Sequence, residues 1–290
     1  MPATIIDGTH VANQIKDQLK QEVHALANQG KGVKLTAILI GATPAAEMYA
    51  KRQGESCAQV GIAYELITLP ATVAMAEALA TIERLNNDPS VTGIMLHMPV
   101  PEQINSVELQ FAIKPAKDVE GVNPANLGYL VSGSPLNVPC TAMAAYELAR
   151  STGVAIRGAE AVVIGASEIV GKPVAMLLSD DRATVTMCRS ATRDLKAHTL
   201  AAEILVVAVG KPNFIPGDWI RQGAVVIDVG INRITLPDGT KKTVGDVDFE
   251  SARQRAGHIT PVPGGVGPMT VAMLLRNTVR AAAASGGPKT

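Results

Sequence analysis

The stretch Ala161-Val-Val-Ile-Gly-Ala-Ser-Glu-Ile-Val-Gly171 decides the fold. Its apolar run up to Gly165 reads as a buried strand, and Val170–Leu178 reads as the helix that follows. A glycine turn that ends a strand and opens a helix is the setting of a dinucleotide loop, because helix N-terminal N–H groups suit a pyrophosphate. The spacing is one residue longer than Gly-x-Gly-x-x-Gly, and Ser167 stands where the second glycine usually lies. An ordinary strand-to-helix turn would look the same, so the neighbouring elements carry the reading. The next strand, Thr184–Met187, runs into Cys188-Arg189-Ser190 rather than into an acidic residue. An arginine and a hydroxyl suit a 2′-phosphate, which favours NADP over NAD; the plainer alternative for Arg189 is a solvated surface charge.

Outward from this stretch the alternation continues on both sides. After it come a helix at Thr192–Ala202 and strands at Ile204–Val209 and Ala224–Val229. Before it, apolar spacing predicts helices over residues 10–30, 44–60 and 72–87, with strands at Leu35–Ile40, Ile62–Leu69 and Val91–Leu96. Strands alternating with helices imply parallel sheets with crossover helices. The expected class is therefore α/β: two α/β domains in series, the second a Rossmann-like doubly wound dinucleotide-binding domain, with a cleft between them. Pro99–Pro139, rich in proline, glycine and asparagine, reads as active-site loops with short helices. A helix at Thr141–Thr152 follows the boundary.

The run Thr260-Pro-Val-Pro-Gly-Gly-Val-Gly-Pro-Met-Thr270 combines residues that fix φ with residues that free it. Such a loop is shaped, and it leads into a final helix at about 269–283 with Pro268 in its first turn. A rigid loop at a helix start is suited to holding a polar ligand; a plain structural turn is the alternative. The final helix is expected to return to the first domain, giving bounds of 1–139 plus 269–290 for that domain and 140–268 for the second.

Composition bounds the rest. Of 290 residues, 47% are hydrophobic and 18% charged, which favours packed cores over disorder. Formal net charge is zero, so no global field favours nucleic acid or an anionic membrane. The three cysteines, Cys57, Cys140 and Cys188, are scattered and include no CxxC, which argues for a reducing compartment. The five histidines show no metal-ligand spacing, so no metal is expected. The N-terminus lacks a signal-peptide pattern and the apolar runs are strand-sized, consistent with a cytoplasmic location. Trp219 is expected to anchor the turn after Pro216-Gly217.

Several segments together resemble one family. They are Ile6-Asp-Gly8, Gly41-Ala-Thr-Pro-Ala-Ala-Glu-Met-Tyr49, Val60-Gly-Ile62, Lys117-Asp-Val-Glu-Gly121, Pro139-Cys-Thr141 and Val163–Ser167. Ala208-Val-Gly-Lys-Pro212, Ile227–Asn232, Val244-Gly-Asp-Val247 and Thr260–Thr270 extend the match along the whole chain. The chain resembles the FolD family, the bifunctional methylenetetrahydrofolate dehydrogenase/methenyltetrahydrofolate cyclohydrolases. The resemblance implies a folate-binding domain, an NADP domain and a homodimer. It also implies hydride transfer from the folate methylene bridge to NADP, then addition of water to the methenyl carbon. Gly165, Ala166, Ser167, Gly171, Arg189, Ser190, Gly210 and Ile231 are the implied cofactor contacts. Tyr49, Glu120, Pro263, Gly264 and Gly265 are the implied substrate contacts, and Tyr49, Gln53, His97 and Glu120 the implied catalytic set. Lys211 and Asn232, at strand ends, are further candidates for cofactor contact.

The departures fall on that catalytic set. Gln53 stands where the family has lysine, His97 where it has glutamine, and Glu120 where it has aspartate; Tyr49 is kept. Lys51 lies two residues back, about 200° around a helix, and points elsewhere. Hydride transfer mainly demands placement, whereas hydration needs proton management. Gln53 has no useful titration. The expectation is a retained dehydrogenase with weak or absent cyclohydrolase. One alternative makes His97, oriented or raised in pKa by Glu120, a relocated acid/base pair, serving hydration, a modified folate or another substrate. Another is a paralogue that binds NADP or folate without turnover.

Overall fold

The structure, a computed structural model, describes residues 2–284. Residues 285–290, the end of the expected folate domain, lie outside the described residues. In chain order the elements are β1 (Thr4–Ile5), α1 (Gly8–Asn28), β2 (Lys34–Ile40), α2 (Pro44–Val60), β3 (Ala63–Leu69), α3 (Met75–Asn87) and β4 (Gly93–Leu96). They continue with α4 (Ser106–Ala112), α5 (Pro124–Val131), α6 (Cys140–Ser151), β5 (Glu160–Ile164), α7 (Gly171–Asp180), β6 (Thr184–Cys188) and α8 (Leu195–Ala201). The last are β7 (Ile204–Val207), β8 (Val225–Asp228), β9 (Asn232–Thr235), β10 (Lys241–Val244), α9 (Phe249–Ala252), β11 (His258–Ile259) and α10 (Val266–Ala284).

Contacts divide the chain into two units, one of residues 14–138 with 271 onward, the other of residues 1–13 with 139–270. In the first, β2 lies between β3 and β4 in a parallel sheet. Leu35–Ile40 is buried throughout, as a central parallel strand covered on both faces requires. Ile38, Ile40, Leu96 and Ile94 pack with Ile82 and Leu85 of α3 and Leu109 of α4. Helix α2 starts where Thr43 Oγ1 accepts the Ala46 N–H at 3.3 Å, with Pro44 in its first turn. The expected loop region does hold two short helices, α4 and α5. It is tied by the buried Asp118 carboxylate, which accepts from the N–H groups of Gly121 and Asn123 and from Asn126 Nδ2. Asn277 of α10 donates to the carbonyls of Val119 and Val138.

In the second unit six parallel strands run in the order β1-β11-β8-β7-β5-β6. The order reverses at β5: β6 lies on one side and β7 on the other. That is the switch point at which α/β sheets bind ligands beyond the strand carboxyl ends. The core under this sheet includes Val162, Ile164, Leu205, Val207, Val226 and Ile259, with Trp219 packed partly buried against it. Trp219 ends one turn of 3-10 helix opened by Pro216-Gly217.

Four features depart from the sequence reading. Residues 4–5 form β1, which pairs with β11, so the first 13 residues group with the Rossmann-like unit rather than with residues 14–138. A two-residue strand has too little pattern to be read alone. The hairpin β9–β10 was not expected; it turns through Leu236-Pro-Asp-Gly239, with Asp238 accepting the Thr240 N–H at 2.9 Å. Helix α8 begins only at Leu195, because Asp194 takes a left-handed conformation and caps Ala197. Helix α10 begins at Val266, inside the proline-glycine run.

Candidate functional site

The first candidate region is a groove of about 770 Å³ past the carboxyl ends of β5, β6 and β7. Gly165, Ala166, Ser167, Arg189 and Ser190 line it, as does Lys211. Close backbone approach explains the glycines. A Cβ on Gly165 would lie 2.1 Å from the Ala208 carbonyl oxygen, and one on Gly171 would lie 1.9 Å from the Gly165 carbonyl oxygen. Gly171 therefore packs α7 onto the turn rather than lining the groove. Ser167 in place of the second glycine has a local role, since its hydroxyl accepts the Gly171 N–H at 3.4 Å. Thr192, which the sequence reading passed over, shapes the arginine turn: its Oγ1 accepts the Arg189 N–H at 2.8 Å. The groove holds the cations Arg189 and Lys211 and no carboxylate among its lining residues. That donor set fits a phosphorylated dinucleotide.

A pair of carboxylates, also unread in the sequence, builds the loops beside this groove. Asp246 accepts from the N–H groups of Val209 (2.6 Å), Gly210 (2.9 Å) and Lys211 (2.9 Å). It also accepts from Asn232 Nδ2 at 2.8 Å, so that amide is committed to the scaffold. Asp228 accepts from the N–H groups of Gly230, Asp246 and Val247, each at 2.9 Å. Burial, with the Asp246 charge adding, pushes the Asp228 carboxyl up to about 6. These bonds fix Gly210 and the turn before Ile231. The exposed Ile231 lines a cavity of about 150 Å³ together with Pro263, Gly264 and Gly265. The expected substrate-contact glycines and one expected cofactor contact thus share one wall within the Rossmann-like unit.

The residues expected to be catalytic lie in the other unit. Tyr49 and Gln53 are one turn apart on α2; Tyr49 is 54% exposed, and Gln53 is 6% exposed. The Tyr49 ring meets the His97 imidazole edge-on, with centroids 5.7 Å apart and planes at 87°. His97 follows β4, donates its N–H to the Ile38 carbonyl at 2.9 Å, and is 4% exposed. The Gln53 amide is bonded at both ends: Nε2 donates to Met95 Sδ at 2.7 Å, and Oε1 accepts the Tyr64 hydroxyl at 3.2 Å. The same hydroxyl lies 3.5 Å from His97 Nε2. Tyr64, on β3, was missed because nothing in one sequence brings residue 64 against residue 53.

Glu120 reaches β4 through the Leu96 N–H, which donates to its Oε2 at 3.2 Å. Desolvation, with the Asp118 charge adding, pushes the Glu120 carboxyl up to about 7. The expectation that Glu120 orients His97 or raises its pKa is corrected here. No hydrogen bond joins the two among the described residues, and burial instead lowers the His97 pKa. Lys51 is exposed, and the cluster of Tyr49, Gln53, Tyr64, His97 and Glu120 contains no cation. Among the described residues no group of three His, Cys, Asp or Glu side chains could hold a metal ion, and no helix is long and apolar enough to cross a membrane.

Comparison with known proteins agrees on one family. Residues 6–120 match the sequence model for the tetrahydrofolate dehydrogenase/cyclohydrolase catalytic domain, and residues 139–286 match that for its NAD(P)-binding domain. The chain is 50% identical over 282 residues to the bifunctional protein FolD of Moorella thermoacetica, covering 97% of this chain and 99% of the relative. It is 48% identical over 284 residues to bifunctional protein FolD 2 of Geobacter sulfurreducens, covering 98% of each. Among solved structures, the Campylobacter jejuni FolD enzyme superposes with a TM-score of 0.91 at 40% identity, over 97% of this chain and 99% of that one. The Trypanosoma brucei enzyme, solved with NADP cofactor and inhibitor, gives a TM-score of 0.90 at 39% identity over 98% of each chain. With two domain models matched in register and relatives this similar along their full length, the chain belongs to the tetrahydrofolate dehydrogenase/cyclohydrolase family.

Proposed function

We propose that this protein is an NADP-dependent 5,10-methylenetetrahydrofolate dehydrogenase whose methenyltetrahydrofolate cyclohydrolase activity is weak. Family membership supports the dehydrogenase, as does a groove that offers Arg189 and Ser190 to a 2′-phosphate with no carboxylate facing it. Bound NADP supplies the hydride acceptor. The chain's own task in that step is placement: the turn from Gly165 to Gly171 seats the pyrophosphate, and the loops fixed by Asp246 and Asp228 hold Gly210 and Ile231 rigid. Tyr49, Glu120 and the Pro263–Gly265 wall are the substrate contacts in this reading. Hydride loss leaves a cation on the one-carbon unit that the folate nitrogens stabilise, so no side-chain base is required.

Hydration differs, and the observation that carries the second half of the proposal is the buried, doubly bonded Gln53 amide. A water adding to the methenyl carbon must lose a proton, and ring opening must return one to nitrogen. An amide held by Met95 and Tyr64 neither titrates nor turns toward substrate. The protein works in the cytoplasm as a homodimer. Three buried cysteines, none of them in a disulfide among the described residues, suit a reducing compartment, and zero net charge gives no reason to invoke nucleic acid or a membrane partner.

The test is a steady-state assay with methylenetetrahydrofolate and NADP that follows NADPH and methenyl product separately. NADPH with accumulating methenyl product is expected. NADPH without accumulation would overturn the weak-cyclohydrolase half, and no NADPH would move the reading to a modified folate, another substrate or a binding-only role.

A further inference from the structure

Tyr64 has so far served only to hold the Gln53 amide, yet space has been made for its ring. A Cβ on Gly54 would lie 2.9 Å from Tyr64 Cδ1 and 3.3 Å from Cε1, so glycine at 54 admits the ring beside Gln53. The hydroxyl then sits 3.2 Å from Gln53 Oε1 and, at a longer 3.5 Å, from His97 Nε2.

Counting protons fixes what each atom does. Met95 Sδ is a thioether and can only accept, so the amide nitrogen of Gln53 faces it and Oε1 faces Tyr64. An amide oxygen also only accepts, so the single phenolic proton goes to Gln53. What Tyr64 presents to His97 is therefore a lone pair, and only a protonated Nε2 satisfies it. In a neutral imidazole that leaves the lone pair on Nδ1, which no hydrogen bond among the described residues engages. Burial, with Cys57 and Tyr49 nearby, pushes the Tyr64 phenol well up, so the phenolate plays no part near neutral pH.

We propose that Tyr64 is a positioning residue that holds neutral His97 as its Nε2–H tautomer and so makes Nδ1 the proton acceptor of this site. The consequence rests on the folate reading above. As water adds to the methenyl carbon, the carbon–oxygen bond forms, the carbon–nitrogen π pair returns to the ring nitrogen, and Nδ1 takes the water proton. This is the route of the slow residual hydration. The titratable groups facing His97 are Tyr49 from α2 and Tyr64 from β3, with Glu120 on the far side of the Leu96 N–H.

The test uses the full chain carrying histidine labelled with nitrogen-15 in the ring. Long-range proton–nitrogen correlation reads the tautomer, and His97→Asn assigns the signal among the five histidines. Wild type is expected to show neutral His97 protonated at Nε2. Tyr64→Phe, which keeps the ring and removes only the hydroxyl, is expected to mix the tautomers and slow methenyl hydration about tenfold, with its acid limb displaced. Met95→Leu frees the Gln53 amide without touching Tyr64 and is expected to mix the tautomers as well. It serves if Tyr64→Phe does not fold. An Nδ1–H tautomer in wild type, or an unchanged signal in both variants, would overturn the proposal. No enzyme-dependent hydration in wild type would remove the acceptor role. The nitrogen signal is read without any folate, so its failure is separable from failure of the dehydrogenase reading.

Discussion

The dinucleotide groove and the cluster around Gln53 are built from different materials. The groove is made of backbone: Gly165 and Gly171 pack chain against chain, and Asp246 gathers three successive N–H groups. The cluster is made of side chains, and three of its members, Gln53, Tyr64 and His97, are joined through the ends of those side chains, with Met95 bonded to Gln53. A backbone-built site tolerates little, because any added atom meets a carbonyl. A side-chain site can be rebuilt by exchanging several groups together, and its chemistry then changes while its fold does not.

Four experiments would break or sharpen that contrast. Gly171→Ala places a methyl 1.9 Å from the Gly165 carbonyl oxygen, and NADP-dependent activity should fall more than about 100-fold. Thermal denaturation beside the kinetic assay checks that the fold survives. Activity close to wild type would mean the turn is not rigid. Arg189→Ala should raise KM for NADP about 30-fold and change that for NAD by less than about threefold, as loss of a charge-assisted phosphate contact requires. Equal effects on both cofactors would make Arg189 a general surface charge.

In the side-chain region, Gln53→Lys introduces a titratable group, and methenyl hydration should rise about tenfold as measured by decay of methenyl absorbance. No rise would mean that Tyr64 and Met95, not the identity of residue 53, set the rate. The smallest effect concerns stability. The Glu120 carboxyl stands at about 7 in the fold against an ordinary 4.5, so the native state holds a proton that the unfolded chain has lost in that interval. Stability therefore falls as pH rises from about 4.5 to about 7. Glu120→Gln removes this dependence, and in urea unfolding it should gain about 1 kcal/mol on wild type between pH 5 and pH 8. Parallel curves would show that Glu120 is ionised throughout.

Much of the architecture was legible because burial leaves a period in the sequence. Ala161–Ile164 is an unbroken apolar run and Leu35–Ile40 is interrupted only by the buried Thr36; each lies in an interior strand of its parallel sheet. Elements that depend on partners were not legible. Strand β1 is two residues long and exists by pairing with β11; the β9–β10 hairpin is polar and half-exposed, so it carries no apolar signature. At the site, the glycine turn and the Arg189-Ser190 pair, both of which line the groove, could be picked out directly, since each was singled out by its own chemistry. Asp246 and Tyr64 could not, because their use lies in what they touch.

The sequence by itself determined the α/β class, the turn from Gly165 to Gly171, a basic residue and a hydroxyl at the end of the next strand, and an uncharged amide at position 53. These follow from local steric rules and from residue identity, which need no knowledge of distant neighbours. Only the tertiary structure decided that Glu120 bonds the Leu96 N–H and not His97, and that burial lowers the His97 pKa. It also decided that a tyrosine 11 residues beyond Gln53 lies between that amide and the imidazole. Hydrogen-bond direction and desolvation are set by atoms within a few ångströms in space, and the folded chain draws those atoms from α2, β3 and β4.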